Sequence, residues 1–395
     1  MKDIIITDSI LYVGVDDKTI DLFESQYEVP NGISYNSYVI LDEKVALMDT
    51  VDSRATEEWL DNLDNALGGR SIDYLVVSHM EPDHAGNIKN LIDRYPEMQI
   101  VGNAKTFAMI PQFFDVDITD RSVAVKEGDT LSLGKHTLQF FMAPMVHWPE
   151  TMVTWLASEG TLFSGDAFGT FGALTESLKD GFEYFCDEMT RYYSNIVGKY
   201  GTPVQTALKK LSALDIKRIC STHGPVWENE IADVVRHYDR LSRYEAEHGV
   251  CIVYGSMYGN TAAAAMELAE SLERIGVPYA LHDLAGNNED SLGISGALRD
   301  TFRFDTIAVG SPTYNNGIFP PVETFMRAVA SRLVKNRRFY AFGSYTWSGV
   351  SVRKLNEMAQ ELGFEIINEG GSFAQAYSTQ KLDLKPVAEL MKNRT

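Results

Sequence analysis

Between Ser78 and Gly86 the chain reads Ser-His-Met-Glu-Pro-Asp-His-Ala-Gly, which sets four potential metal ligands, His79, Glu81, Asp83 and His84, within six positions. Ionisable groups in a protein interior are costly unless paired or bound to a cation, so a cluster of this density points to metal. The apolar run Ile72–Val77 before it predicts a buried strand, and the spacing from Ala85 to Arg94 predicts a helix. The ligands therefore fall on the loop between the carboxyl end of a strand and the following helix. Open α/β sheets carry their chemistry there.

Further ligand types recur at strand ends. His147 follows the apolar stretch Leu138–Met142, Asp166 closes Thr161–Gly165, and His223 closes Ile216–Thr222. One such histidine would be an ordinary core or surface residue. Three strand ends, each followed by Asp or His, describe a site assembled from loops along one sheet edge. Four imidazoles and three carboxylates exceed what a tetrahedral zinc takes, so two metals are implied. Mixed imidazole and carboxylate ligation suits iron or manganese as well as zinc, and a carboxylate can bridge two ions. Glu81, standing where an imidazole would serve, hardens the site. The reading is a dinuclear iron centre.

A second kind of site appears further on. The buried-strand signal Val250–Tyr254 leads into Gly255-Ser256-Met257-Tyr258-Gly259-Asn260-Thr261 and then an Ala-rich helix to Ile275. A strand, a Gly and hydroxyl loop and a helix start make a phosphate cradle, because free backbone N–H groups and the positive helix end favour an anion. The loop has neither the Lys of a nucleoside-triphosphate loop nor Gly-x-Gly-x-x-Gly, which suggests a terminal monophosphate. Two more strands end in small, polar and aromatic residues. Ile307–Gly310 leads to Ser311, Pro312, Thr313, Tyr314, Asn315, Asn316 and Gly317, and Phe342-Gly343 leads to Ser344, Tyr345, Thr346, Trp347, Ser348 and Gly349. Three such ends can surround a flat ring. Strand signals at Pro278–His282, Phe339–Phe342 and Glu365–Ile367 complete five strands. This half resembles flavodoxin, which implies FMN as the ligand, with Trp347 or Tyr345 as the stacking candidate.

The elements around these sites suggest two domains, as does a length of 395 residues. In the first half, Ser34–Leu41 and Lys44–Asp49 read as a hairpin, with helices near 55–67 and 104–114 and hairpins around Gly128 and Gly134. A helical stretch runs over 185–214 with a break near Gly201 and Pro203, and a charged helix over 230–247 ends at His248. The expected boundary lies at 248/249. Mixed strands and helices suit an αβ/βα sandwich in residues 1–248, followed by a doubly wound parallel sheet in 249–395.

Composition excludes several classes. A net charge of −20 argues against nucleic acid. The first 248 residues hold 21 Lys and Arg against 40 Asp and Glu, so the acidity belongs to that half and the second half is near neutral. No apolar run reaches the roughly 18 residues of a membrane span, and the start of the chain turns polar too soon for a signal peptide. Three separated cysteines, Cys186, Cys220 and Cys251, read as reduced, buried thiols in a cytoplasmic protein.

The His79–His84 spacing resembles the metallo-β-lactamase pattern His-x-His-x-Asp-His, with Glu81 in place of the second His. With the flavodoxin-like half, Ser34-Tyr35-Asn36-Ser37-Tyr38 and His147-Trp148-Pro149-Glu150, the whole chain resembles the flavodiiron proteins, or A-type flavoproteins. That resemblance implies one iron on His79, Glu81 and His147, another on Asp83, His84 and His223, and Asp166 as the bridge. It implies reduction of dioxygen to water, of nitric oxide to nitrous oxide, or both, with electrons passing from a rubredoxin-type carrier through FMN. It also implies a head-to-tail homodimer, or a tetramer of two such dimers. Tyr193 is a candidate donor behind the ligands. No cysteine-rich extension follows Thr395, so a separate carrier is expected, with Lys335, Arg337, Arg338, Arg353 and Lys354 as a candidate docking face. The competing readings are a zinc hydrolase with an appended flavin domain, which Glu81 opposes, and a non-catalytic electron-transfer flavoprotein, which seven intact ligands oppose.

Overall fold

The computed structural model describes residues 5–174, 181–286, 292–367, 371–373, 381–382 and 387. The extreme ends of the chain, on which the leader and extension readings fall, lie outside them. The chain divides into two compact units, Met1–Tyr193 with Tyr200–Asp239, and Ser194–Lys199 with Arg240–Thr395.

The first unit holds two large sheets and two small two-stranded ones. One is six-stranded, with β1 (Ile10–Tyr12), β2 (Tyr38–Ile40), β3 (Ala46–Met48), β4 (Tyr74–Val76), β5 (Gln99–Gly102) and β6 (Ser122–Ala124) side by side in chain order. The other is five-stranded, again in chain order: β7 (Thr130–Ser132), β8 (Thr137–Met142), β9 (Met152–Leu156), β10 (Thr161–Gly165) and β11 (Arg218–Ser221). Strands β3, β9 and β10 are buried along their whole length, which is why they lack the alternating pattern of a half-exposed strand. Helix α1 (Thr56–Leu67) buries Trp59, Leu63, Ala66 and Leu67, one stripe at helical spacing, and stops at Gly68 in a left-handed cap.

Several segments differ from their sequence expectation, each for a local reason. Ser34–Leu41 is two strands: Ile33–Tyr35 pairs with Val15–Asp17, while β2 pairs with β1 and β3. The break falls at Asn36, whose backbone N–H donates to Thr222 O at 2.7 Å instead of to a sheet partner. The turn at Gly128 joins the two sheets and makes no hairpin, whereas Gly134 does turn the hairpin between β7 and β8. The helix after the first ligands begins early, as α2 (Pro82–Ala85) with Pro82 in its first turn, and resumes as α3 (Ile88–Arg94). Helix α4 (Ala104–Phe113) lies where expected. The 185–214 stretch is α5 (Phe182–Tyr192) and α6 (Gly201–Leu211), separated by a π-helical turn at Tyr193–Val197 and a 3₁₀ turn at Gly198–Tyr200. The break thus precedes Gly201, and Pro203 sits in the first turn of α6, where it is tolerated. Helix α7 (Ile231–Ser242) ends before Tyr244, which adopts a left-handed φ of 57°. Glu247 and His248 therefore lie on a strand, not a helix.

The second unit is the doubly wound sheet. Its strands β12 (Glu247–Tyr254), β13 (Tyr279–Asp283), β14 (Phe304–Tyr314), β15 (Arg338–Ser344) and β16 (Glu365–Ile366) run parallel in the order β13-β12-β14-β15-β16. Gly317–Ile318 adds antiparallel to β14, and Gly371–Phe373 adds parallel to β15. Helix α8 (Asn260–Arg274) buries Ala264, Ala265, Leu268 and Leu272 on Val250, Ile252 and Ala308.

Candidate metal centre and flavin cavity

Register brings the ligands together. Parallel pairing of β3 and β4 puts Met48 opposite Val76, so that the loops after both strands open side by side. Asp49, held at a left-handed φ of 54°, accepts the Ser78 N–H at 2.7 Å and so aims the turn that carries His79. Thr50 donates to the His84 carbonyl through both its N–H and its hydroxyl, each at 2.8 Å, which anchors α2. In the other sheet, β10 and β11 slip register between Phe163 and Gly165, a local irregularity of the sort that re-aims side chains beside active sites. Thr222 then donates to Asp166 Oδ1 at 2.5 Å.

All seven ligand candidates converge. Ligand atoms of His79, Glu81, His147 and Asp166 lie within 4.8 Å of one another, as do those of His79, Asp83 and His84, and those of His84, Asp166 and His223. His147 Nε2 is 2.8 Å from Glu81 Oε2 and 3.0 Å from Asp166 Oδ2, while Asp83 Oδ2 is 3.2 Å from Nε2 of both His84 and His223. Asp166 Oδ1 lies 3.3 Å from His84 Nε2, so one carboxylate faces both groups. The Nε2 atoms of His84 and His223 point at each other across 2.9 Å. Both ring nitrogens of His79 and both carboxylate oxygens of Asp83 are buried with no hydrogen-bond partner among the described residues. Three carboxylates gathered on four imidazoles, with buried acceptors left over, is the donor chemistry of a site for two divalent cations.

Electrostatics agree. Burial works against the charged form of each group, yet the pairings win. Asp83 and Asp166 lift the His84 imidazole to about 10, and Asp166 and Glu81 lift His147 to about 9. Surrounding imidazoles, His79 foremost, hold Asp166 well below the ordinary carboxylate range.

Behind the ligands lies a polar frame that ligand spacing alone does not disclose. The Ser34 carbonyl lies 2.7 Å from His223 Nδ1, and the Ser34 hydroxyl accepts Gly224 N–H at 2.8 Å. Asn36 Nδ2 donates to Ser221 O at 2.9 Å and to Gly224 O at 2.8 Å, and Tyr38 donates to Ser221 O at 2.8 Å. The Ser34–Tyr38 motif is therefore a clamp on the His223 loop. Of the two adjacent tyrosines, Tyr193 lays its ring against Tyr238 at 4.9 Å, and Tyr192 is the one that faces His223, at 5.3 Å. Of the two rings, that of Tyr192 is therefore the one beside a ligand candidate. Burial, reinforced by the Asp166, Asp83 and Glu81 carboxylates, keeps its hydroxyl protonated.

In the second unit a cavity of about 470 Å³ is lined by Ser256, Met257, Tyr258, Asn260, Thr261, Pro312, Thr313, Ser344, Tyr345 and Thr346. Its size lies in the range of cofactor sites. Gly259 enters α8 at φ 85°, a conformation that suits glycine. Thr261 and Ser344 hydroxyls, 2.9 Å apart, hydrogen-bond to each other in its wall. The Ser311–Tyr314 segment, expected as loop, is the end of β14. Ser311 is buried and its hydroxyl accepts Phe319 N–H at 3.0 Å, a framework role. Asn315 and Asn316 form a left-handed turn, after which Gly317 pairs back on Tyr314. Ser348 donates to Asn316 Oδ1 at 2.6 Å, which ties the two outer loops together. A Cβ at Gly349 would meet the Tyr345 ring at 2.8 Å. Trp347 is 75% exposed and absent from the lining, whereas Tyr345 and the largely exposed Tyr258 are the aromatics that line the cavity.

The expected basic docking face does not form as a whole. Arg337 is buried and spends its guanidinium on the carbonyls of Thr301, Phe302 and Tyr244, and buried Arg338 pairs with Asp305 at 2.9 Å. Lys335 and Arg353 are exposed. Cys220 and Cys251 are buried as expected, and Cys186 is half-buried.

A pair of sheets with a His and carboxylate cluster at their edge, followed by a five-stranded parallel sheet with a cofactor cavity, defines a two-domain metalloflavoprotein. The ODP family beta lactamase profile matches residues 33–224, and the flavodoxin profile matches 252–386. The chain is 30% identical over 379 residues to a nitric oxide reductase of Moorella thermoacetica, covering 95% of this chain and 94% of the relative. It is 32% identical over 374 residues to the anaerobic nitric oxide reductase flavorubredoxin of Escherichia coli, covering 92% and 76%. The solved structure of rubredoxin oxygen:oxidoreductase from Desulfovibrio gigas superimposes with a TM-score of 0.89 at 30% identity, covering 98% of both chains. The chain belongs to the flavodiiron protein family.

Proposed function

We propose that the protein is an oxidoreductase that reduces dioxygen to water, nitric oxide to nitrous oxide, or both, at a non-haem diiron centre fed through FMN. The convergence of seven ligand side chains on one buried locus carries this reading, and the names of the relatives support the two gases. When bound, the irons supply the redox site for the gas, and FMN takes up and passes on electrons. We assign His79, Glu81 and His147 to one iron, Asp83, His84 and His223 to the other, and Asp166 to both. The metal half spans residues 1–248 and the flavin half 249–395.

The side chains of this chain prepare that centre. Thr222 fixes one Asp166 oxygen, and the Ser34 carbonyl accepts the Nδ1–H hydrogen bond of His223, which leaves Nε2 free for metal. Dioxygen needs four electrons and four protons to become two waters. Two nitric oxide molecules need two of each to become nitrous oxide and water. Buried Tyr192, still protonated beside His223, is positioned to hold one such proton. Ser256, Asn260 and Thr261 would cradle the FMN phosphate at the start of α8, with Met257, Tyr258 and Gly259 shaping the loop, and Tyr345 against the ring.

The donor we favour is a rubredoxin-type carrier, a word carried by the names of the D. gigas and E. coli relatives. A head-to-tail homodimer, alone or paired into a tetramer, and a cytoplasmic setting complete the proposal. No helix among the described residues is long and apolar enough to cross a membrane, and none of the three cysteines forms a disulfide among those residues. The deciding experiment is parallel anaerobic nitric oxide turnover and dioxygen consumption, driven by reduced rubredoxin, on iron- and FMN-loaded protein. Loss of both activities in a His79→Ala variant is expected. Undiminished turnover in that variant would reject the assignment.

A further inference from the structure

Glu150 ends the His147-Trp148-Pro149-Glu150 motif, and its carboxylate is 1% exposed. Its Oε1 accepts the backbone N–H of Met80 at 2.8 Å, and Met80 stands between His79 and Glu81. Its Oε2 is buried with no hydrogen-bond partner among the described residues. A buried carboxylate with one oxygen unsatisfied is expensive, and a neutral acceptor could satisfy one amide at lower cost. The oxygen that is satisfied serves the peptide that carries two ligand candidates, reached from three residues beyond a third.

The rest of this loop is braced. Asn103, the N-cap of α4, donates to the Glu150 carbonyl at 2.5 Å. Lys105 donates to Pro149 O at 3.2 Å, and Met152 N–H donates to Ser78 O at 2.9 Å. Glu150 is therefore a stiff strut with its base anchored and its tip on the Met80 amide. Any rotation of that peptide would swing His79 and Glu81 together, away from His147. Metal sites need their ligands held to within about 0.5 Å of the productive geometry.

We propose that Glu150 is the positioning residue that keeps His79 and Glu81 in register with His147, so that these three load metal as one half-site. The proposal rests on the division of ligands between the two irons. Glu150 touches no metal itself and acts only through the Met80 peptide.

The test compares Glu150→Gln, Glu150→Asp and Glu150→Ala in the full chain, reading iron per chain, FMN per chain and Mössbauer spectra. Gln preserves the length and an acceptor oxygen, so E150Q is expected to keep two irons. Asp is one methylene too short to reach the amide, so E150D and E150A are expected to keep FMN but bind the first-half iron about 10–100-fold more weakly. They would be isolated with one iron and no spin coupling. Two irons with wild-type spectra in E150D and E150A would overturn the proposal, even with a lowered melting temperature. Failure of both variants to fold beside an intact E150Q would also overturn it, by showing a need for folding alone. His147→Ala separates the two layers: if it too keeps two irons, the ligand division is wrong, whatever Glu150 does.

Discussion

The imidazoles of His84 and His147 are each tuned against two competing partners, carboxylate and metal, and that competition has a measurable sign. His84, lifted to about 10, and His147, lifted to about 9, are protonated at neutral pH in the metal-free protein because paired carboxylates outweigh burial. A metal takes the neutral ring, so binding must expel those protons. Affinity for ferrous iron is expected to rise from pH 6 to 9 and to level off above about 10. Calorimetry in two buffers of different ionisation enthalpy reads the release directly, and a binding heat independent of buffer at pH 7 would contradict it. Asn36 offers a second residue-scale test. Asn36→Ala strips donors from the buried Ser221 and Gly224 carbonyls, which costs about 1–3 kcal/mol. It should also loosen His223 and weaken metal binding about 10–100-fold. Chelator competition on N36A checks this, and unchanged metal affinity would show that the clamp serves folding only.

At the scale of elements, both sites are built at the carboxyl ends of strands. In the first unit the ligands come after β4, β8, β10 and β11, and the register of neighbouring strands decides which loops meet. In the second unit the cavity is closed by the ends of β12, β14 and β15, with α8 directing its N-terminus to one side. The division between Tyr345 and Trp347 yields an element-scale prediction. Tyr345→Ala opens the wall and should weaken FMN binding at least tenfold, while Trp347→Ala should leave it within about twofold. Fluorescence titration of apoprotein with FMN distinguishes them, and the reverse order of effects would move the stacking role to Trp347.

For the whole molecule, the prediction concerns assembly. If one chain's flavin serves its partner's irons, a His79→Ala chain and a Thr261→Ala chain that has lost FMN are each inactive alone. Refolded together they should regain activity toward one of their two sites. Gas consumption by co-refolded, co-purified mixtures reads this, and no recovery despite mixed dimers would place electron transfer within a single chain. The near-neutral second half has a smaller basic surface than its composition suggests, since Arg337 and Arg338 are internal. Of the five cations named for that face, Lys335 and Arg353 are exposed and Lys354 is half-buried, and Arg353 pairs with Glu357.

The class of the centre was legible in residue types. His79, Glu81, Asp83 and His84 lie within six positions, and His147, Asp166 and His223 each follow a strand signal, because ligand chemistry and strand periodicity are both local properties. The strand, glycine-bearing loop and helix start at Gly255–Asn260 were legible for the same reason. Tertiary structure decided the remainder. Asn36 finds Ser221 185 residues away, and Glu150 finds Met80 at a distance of 70. Whether Tyr192 or Tyr193 faces His223 depends on a single helical step at the end of α5. Arg337 looks like surface charge until Thr301, Phe302 and Tyr244 enclose it. A hydrogen bond between distant residues leaves no period in the chain; it exists only once packing has set both ends within reach.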